Sequence, residues 1–253
     1  MPKTAHAALP EVNFSEEGSV RHLHLGSPWI QGSMRIDAPT ALVHEYIQRM
    51  MGWLLWIDPA TLGQRQALQL GLGAGSLTKF CAKEVRMKQT TAIELNPQVL
   101  HACRGWFKLP ADGPRMQVLL ADAAQEIRAP RWQAAVDALQ VDLYDEHAAA
   151  PVLDSAAFYA DCRAVLTPEG SMAVNLFGRT SSFQGSVDKM AAAFGADALW
   201  AFPATREGNT VVLAQRTPSR PSRAVLTERA AWIQDRLGLP ADKWVRALKP
   251  VQP

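Results

Sequence analysis

Between residues 66 and 177 short apolar runs alternate with segments whose apolar residues recur every three or four positions. The two periods predict strands at about 66–71, 90–95, 116–121, 135–142 and 171–177, and helices at about 75–86, 97–106, 121–129, 154–166 and 183–194. Short strands separated by helices predict a parallel sheet covered on both faces. ALWAFPA at 198–204 and NTVVLAQR at 209–216, joined through Gly208, predict an antiparallel hairpin at the sheet edge. Upstream, RHLHLGSPWIQGSMRID at 21–37 predicts two short strands around a Gly-Ser-Pro turn, with residues 1–18 as a loosely held arm. Leu42, Val43, Tyr46, Ile47, Met50, Met51, Leu54 and Leu55 have the spacing of one helix with a single buried face, capped by Thr40. The tail TERAAWIQDRLGLPADKWVRAL predicts two short helices broken at Gly238 and Pro240.

The expected fold class is therefore α/β: a Rossmann-like, methyltransferase-type sheet, mostly parallel with an antiparallel edge hairpin, preceded by a small N-terminal β-hairpin. The expected organisation is an arm and hairpin over 1–37, a nucleoside-binding catalytic domain over 38–216 and a helical tail over 217–253 packed on it. A chain of 253 residues suits one sizeable core.

A net charge of +2 and a hydrophobic fraction of 48% describe an ordinary globular protein without the basic excess of a nucleic-acid binder. Basic residues do gather in the tail, where a solvated helical face is the expected reading. Cys81, Cys103 and Cys162 lack paired spacing, and His22, His24, His101 and His147 lack metal-ligand spacing, so no metal is expected. The greasiest stretch, MMGWLLWI at 50–57, is too short to span a bilayer and the N-terminus has no apolar leader core, which predicts a cytoplasmic protein off the membrane.

The chemistry gathers at strand ends, where ligands sit in an open parallel sheet. ALQLGLGAGSLTKF at 67–80 joins an apolar run, a glycine-rich turn and a helix start. Gly71, Gly73 and Gly75 allow a sharp bend and leave room for a ligand against backbone N–H groups. TAIELNP follows, and Glu94 at the end of the next strand can accept both hydroxyls of a ribose, which marks an adenosine-type ligand. Asp122, in VLLADAAQEI, either caps a helix or accepts from the exocyclic amine of adenine. VDALQVDLYDEH ends in Asp142, Asp145, Glu146 and His147; so much negative charge at one strand mouth indicates either a cation held there or a solvated loop.

Taken in order, QGSMRID, GLGAGSL, AIELNPQVL, LLADAAQEI, VDALQVDLYDEH and FYADCRAVLTPEGSMAVNLF resemble the spermidine synthase (polyamine aminopropyltransferase) family over about 21–216, in the style of its divergent bacterial branch. The resemblance implies an enzyme that moves the aminopropyl group of decarboxylated S-adenosylmethionine to putrescine, with that donor as co-substrate and no permanently bound cofactor. It implies Asp142 as proton acceptor, Asp145 as a diamine holder, Gln31 at the substrate, Glu94 at the ribose and the Asp122-Ala123 pair at the adenine, with the glycine loop completing the donor site. A small-molecule polyamine is the implied partner, neither nucleic acid nor membrane is, and a homodimer stays open.

The sequence also departs from that family. Ala74 stands where typical members carry an aspartate that contacts the aminopropyl amine, Tyr144 and Glu146 replace Ser or Thr and Pro, and His44-Glu45 fits the family's Tyr-His-Glu only with shifted spacing. Donor choice is thereby open between the decarboxylated compound and S-adenosylmethionine itself, so a methyltransferase on the same fold is the alternative enzyme. A nucleoside-binding protein without turnover is the alternative outside enzymes.

Overall fold

The computed structural model describes residues 9–143, 153–177 and 180–251. The chain opens with an antiparallel sheet of β1 (Val12–Glu17), β2 (Val20–Leu25) and β3 (Ile30–Arg35), in that order. The expected hairpin is thus present as β2 and β3, and part of the expected loose arm is a third strand. Five of the six β1 residues are exposed, so no alternation of apolar and polar positions announces it; its six registered pairs with β2 define it instead.

The expected long helix at 38–56 is replaced by α1 (Glu45–Arg49) and a 3-10 turn at Gly52–Trp56. Met50, Met51, Trp53, Leu54 and Leu55 are all buried, so this segment is apolar all round rather than on one face. Gly52 lies directly against Phe202 and Leu213, where a Cβ would be 3.0 Å and 3.1 Å from their side chains. Thr40 lies in a turn, and His44 occupies the N-cap position without a side-chain capping bond.

The chain then alternates β4 (Gln66–Leu70), α2 (Ser76–Lys83), β5 (Gln89–Glu94), α3 (Pro97–Trp106), β6 (Met116–Leu120), α4 (Ala123–Glu126), β7 (Val136–Val141), α5 (Ala156–Val165), β8 (Leu166–Phe177) and α6 (Thr180–Phe194). After β9 (Leu199–Ala201) and β10 (Asn209–Gln215) come α7 (Arg223–Leu237), α8 (Ala241–Ala247) and a short β11 (Lys249–Pro250). The tail's two helices meet at Gly238 and Pro240 as expected, with Gly238 at the C-cap of α7 at φ 67°.

The large sheet runs β11-β9-β10-β8-β7-β4-β5-β6. β6, β5, β4, β7 and β8 are parallel, whereas β10 is antiparallel to both of its neighbours. All six residues of β7 are buried because helices cover both faces, which explains its apolar sequence. Its one amide, Gln140, pairs with Gln69 of β4 at 2.8 Å and reaches the Met50 carbonyl at 3.3 Å. Strand order reverses around β4, whose neighbours are β5 and β7, so the crevice of the topological switch opens at their carboxyl ends. Among the described residues no helix is long and apolar enough to cross a membrane.

Candidate active site

The glycine loop joins β4 to α2, and steric necessity explains its composition. Gly71 has φ 89°, and a Cβ on it would stand 2.4 Å from the carbonyl oxygen of Asp142. Gly73 has φ 50°, with the Gln31 carbonyl oxygen 3.1 Å from where its Cβ would be; Gly75, at φ 66°, is the N-cap residue of α2. These are left-handed conformations that cost an L side chain free energy, and at Gly71 the space is also taken. The loop is sandwiched between the end of β7 and the N-terminal sheet.

Glu94 ends β5 and closes the loop from the other side. Its Oε2 accepts from the Leu72 amide at 3.0 Å and its Oε1 from the Asn96 amide at 2.8 Å. Burial raises its pKa and the backbone donors oppose that rise. Each carboxylate oxygen retains acceptor capacity for a ligand hydroxyl. Asn96 caps α3 by accepting from the Gln98 amide and donates to the Pro10 carbonyl at 3.0 Å, which ties the entering chain to this edge. At the end of β6, Asp122 Oδ1 accepts from the Gln125 amide at 3.1 Å and caps α4, whose first residue is Ala123. The capping role is therefore real, and Asp122 and Ala123 also line the cavity.

Asp142 follows β7 at the switch point. Its Oδ1 accepts from Asn175 Nδ2 at 2.9 Å, and the Tyr46 hydroxyl donates to its Oδ2 at 3.5 Å. Burial pushes its pKa up to about 6, against the lowering effect of these two donors. Asn175 is itself held by Asn209, whose Nδ2 donates to Asn175 Oδ1 at 3.1 Å. The carboxylate is thus ionised at neutral pH, with a basicity above that of a solvated aspartate.

A second polar chain lies over it. The Ser33 hydroxyl is buried between His22 Nδ1 at 2.7 Å and His44 Nε2 at 2.6 Å. One hydroxyl proton serves one acceptor, so at least one of the two rings donates to the serine oxygen. His44 stacks on Tyr46 with centroids 5.9 Å apart and planes at 18°, which holds the phenol over Asp142. Burial, helped by the neighbouring His22, lowers the His44 pKa, while Glu207 opposes the shift.

Apart from His22 and Gly75, the side chains and glycines described line one cavity of about 840 Å³. The predicted residues Gln31, Gly71, Gly73, Glu94, Asp122, Ala123 and Asp142 all line it, whereas Gly75 shapes the loop behind them. Asp145, Glu146 and His147 lie outside the described residues. Trp29 lines the cavity and is 54% exposed. Ser76 donates to the Ser33 carbonyl at 3.0 Å, a structural role. Ala74 is buried, with Gly32 of β3 so close that a Cβ on that glycine would be 2.7 Å from the Ala74 amide nitrogen. Gly32 of the N-terminal sheet thus packs directly on Ala74, which still borders the cavity.

Sequence reasoning missed Tyr46, Asn175, Asn209, Ser33 and Glu207. Tyr46 reads as one more apolar face position, and Asn175 and Asn209 are single polar residues in strands. An asparagine within VNLF, the last apolar run of the parallel sheet, was the available signal, because a buried amide demands partners.

No family model matches the chain. It is 34% identical over 98% of its length to a polyamine aminopropyltransferase of Chromobacterium violaceum, covering 92% of that protein. It is 32% identical over 99% of its length to the polyamine aminopropyltransferase of Neisseria meningitidis serogroup A, covering 94% of it. Among solved structures, a probable spermidine synthase from Corynebacterium glutamicum matches with TM-score 0.70 at 20% identity, over 96% of this chain and 93% of that one. Human methyltransferase-like protein 13 in complex with SAH matches with TM-score 0.65 at 22% identity, over 83% and 96% of the two chains. The two structural likenesses define the shared methyltransferase-type fold.

Proposed function

The chain belongs to the polyamine aminopropyltransferase family and is a transferase, and on that premise we propose that its cavity binds decarboxylated S-adenosylmethionine and transfers the aminopropyl group to putrescine. The observation that carries this reading is Asp142: a carboxylate with a pKa near 6, at the switch point, on the opposite side of the glycine loop from a ribose-competent glutamate.

The donor's ribose hydroxyls bond to Glu94, its adenine lies by Asp122 and Ala123, and its sulfonium lies in the cavity on the side of the Asp142 carboxylate. Gln31 borders the reacting end, and Asp145 supplies further attraction for the diamine. A primary ammonium with a pKa near 10.4 is no nucleophile until it loses a proton. Asp142 accepts that proton; the freed nitrogen pair attacks the carbon beside sulfur, a C–N bond forms, and the C–S bond breaks with its electron pair passing to sulfur. Methylthioadenosine leaves as a neutral thioether, and one proton remains on Asp142 to be released. The positive sulfur already activates the leaving group, so the protein contributes alignment and a base.

Ala74 is the specific feature that keeps a methyltransferase in view, since the loop lacks an acid that would favour a donor without a carboxylate. Mass spectrometry of products separates the two. Decarboxylated donor plus putrescine is expected to give spermidine and methylthioadenosine, and S-adenosylmethionine is expected to give no methylated amine. Methyl transfer without aminopropyl transfer refutes the proposal.

A further inference from the structure

The glycine loop carries no carboxylate at Ala74, so the charge that attracts an amine comes from other residues of the cavity. The acidic side chains among its described lining residues are Glu94, Asp122, Asp142 and Glu207. In the reading above, the first two face the nucleoside and the third meets the reacting nitrogen. Glu207 has no part in that chemistry, yet it borders the same space.

Its placement is built by the fold. Glu207 sits on the turn between β9 and β10, closed by the Gly208 amide donating to the Thr205 carbonyl at 3.0 Å with Gly208 at φ 96°. Glu207 is exposed at the rim of the cavity, and hydrogen bonding from its own amide and from the Thr205 hydroxyl holds its carboxyl below the ordinary range. Arg206 is its neighbour in sequence, and His44 faces it across the cavity. His44, half-buried and fixed on Ser33, has its pKa lowered mainly by burial, which favours the neutral ring.

The sheet order supplies the spacing. From β7, which precedes Asp142, β10 is two strands away through β8, a lateral separation of about 10 Å. A four-carbon diamine spans about 6 Å between nitrogens, and a charge-assisted hydrogen bond of about 2.8 Å at each end brings it to the same scale. We propose that Glu207 receives the remote ammonium of the acceptor, so that the cavity selects diamines over monoamines by holding one cation at each end. This rests on the transferase reading, and it assigns acceptor selectivity to the turn before β10.

Initial rates of methylthioadenosine release with putrescine and with n-butylamine, in the wild type, Glu207→Gln and Glu207→Asp, test it. In Glu207→Gln the KM for putrescine is expected to rise by about five- to fiftyfold, below the full worth of a buried charged hydrogen bond because the turn is exposed. The putrescine to n-butylamine ratio of kcat/KM falls by the same factor, and Glu207→Asp recovers part of it. A change below about threefold, or equal losses with both amines, overturns the assignment. If the wild type transfers to neither amine, the transferase reading falls instead. Titration calorimetry of both amines onto protein loaded with methylthioadenosine then decides Glu207 alone: loss of putrescine preference in Glu207→Gln supports its role, and unchanged preference refutes it.

Discussion

Asn175→Ala offers a direct test of how the fold sets the strength of the base. Asn175 Nδ2 donates to Asp142 Oδ1 at 2.9 Å, and this bond favours the ionised carboxylate against a burial effect that already lifts its pKa to about 6. A hydrogen bond to a charged group is worth about 1.5–3 kcal/mol, and about 1.4 kcal/mol corresponds to one pKa unit, so its removal moves the folded pKa upward by about one to two units. The wild-type base is about nine-tenths ionised at pH 7, whereas the variant falls to between about two-fifths and one-twentieth. The expected loss in kcat/KM is therefore about two- to fifteenfold at pH 7, shrinking toward unity by pH 9. A pH profile of methylthioadenosine release, read as the ratio of variant to wild type, cancels the titration of the amine substrate common to both. The sign is fixed: a raised carboxylate pKa shifts the acid limb to higher pH. An unmoved acid limb, or a loss of equal size at every pH, refutes the assignment of Asp142 as base or of Asn175 as its tuning partner. Asn209→Ala, which removes only the donor to Asn175 at 3.1 Å, should give a smaller shift in the same direction.

Two further outcomes follow from the same geometry. Asp142→Asn keeps shape and removes the proton acceptor, so turnover should fall by about two to four orders of magnitude while methylthioadenosine affinity, measured by calorimetry, stays within about threefold; near-normal turnover leaves the mechanism without its base. Gly71→Ala places a methyl 2.4 Å from the Asp142 carbonyl oxygen at a φ of 89°, so thermal denaturation should show a loss of about 3 kcal/mol or more, and a melting curve like that of the wild type contradicts the close approach.

The sequence alone determined the alternating parallel core and its strand-terminal chemistry, because both follow from local rules. Period and turn composition are written within a few residues of each other, and the glycine loop, Glu94 and Asp122 each lie at or just beyond the end of a strand whose apolar run is unmistakable. Asp142 was legible for the same reason. The segment at 38–56 was misread because its periodicity is compatible with a helix, while burial on every side, with Gly52 pressed against Phe202 and Leu213, is a fact of packing. β1 was illegible because its side chains are exposed and only its pairing with β2 defines it. Tertiary structure alone decided that Tyr46, Asn175 and Asn209, from three separate stretches, meet around one carboxylate, and that burial there raises its pKa. It also decided that Gly32 of β3 packs on Ala74 while the turn before β10 brings Glu207 to the same cavity. Charge and hydrogen bonding act through distance in space, and the distances between β3, the glycine loop and the turn before β10 exist only once the sheets have packed.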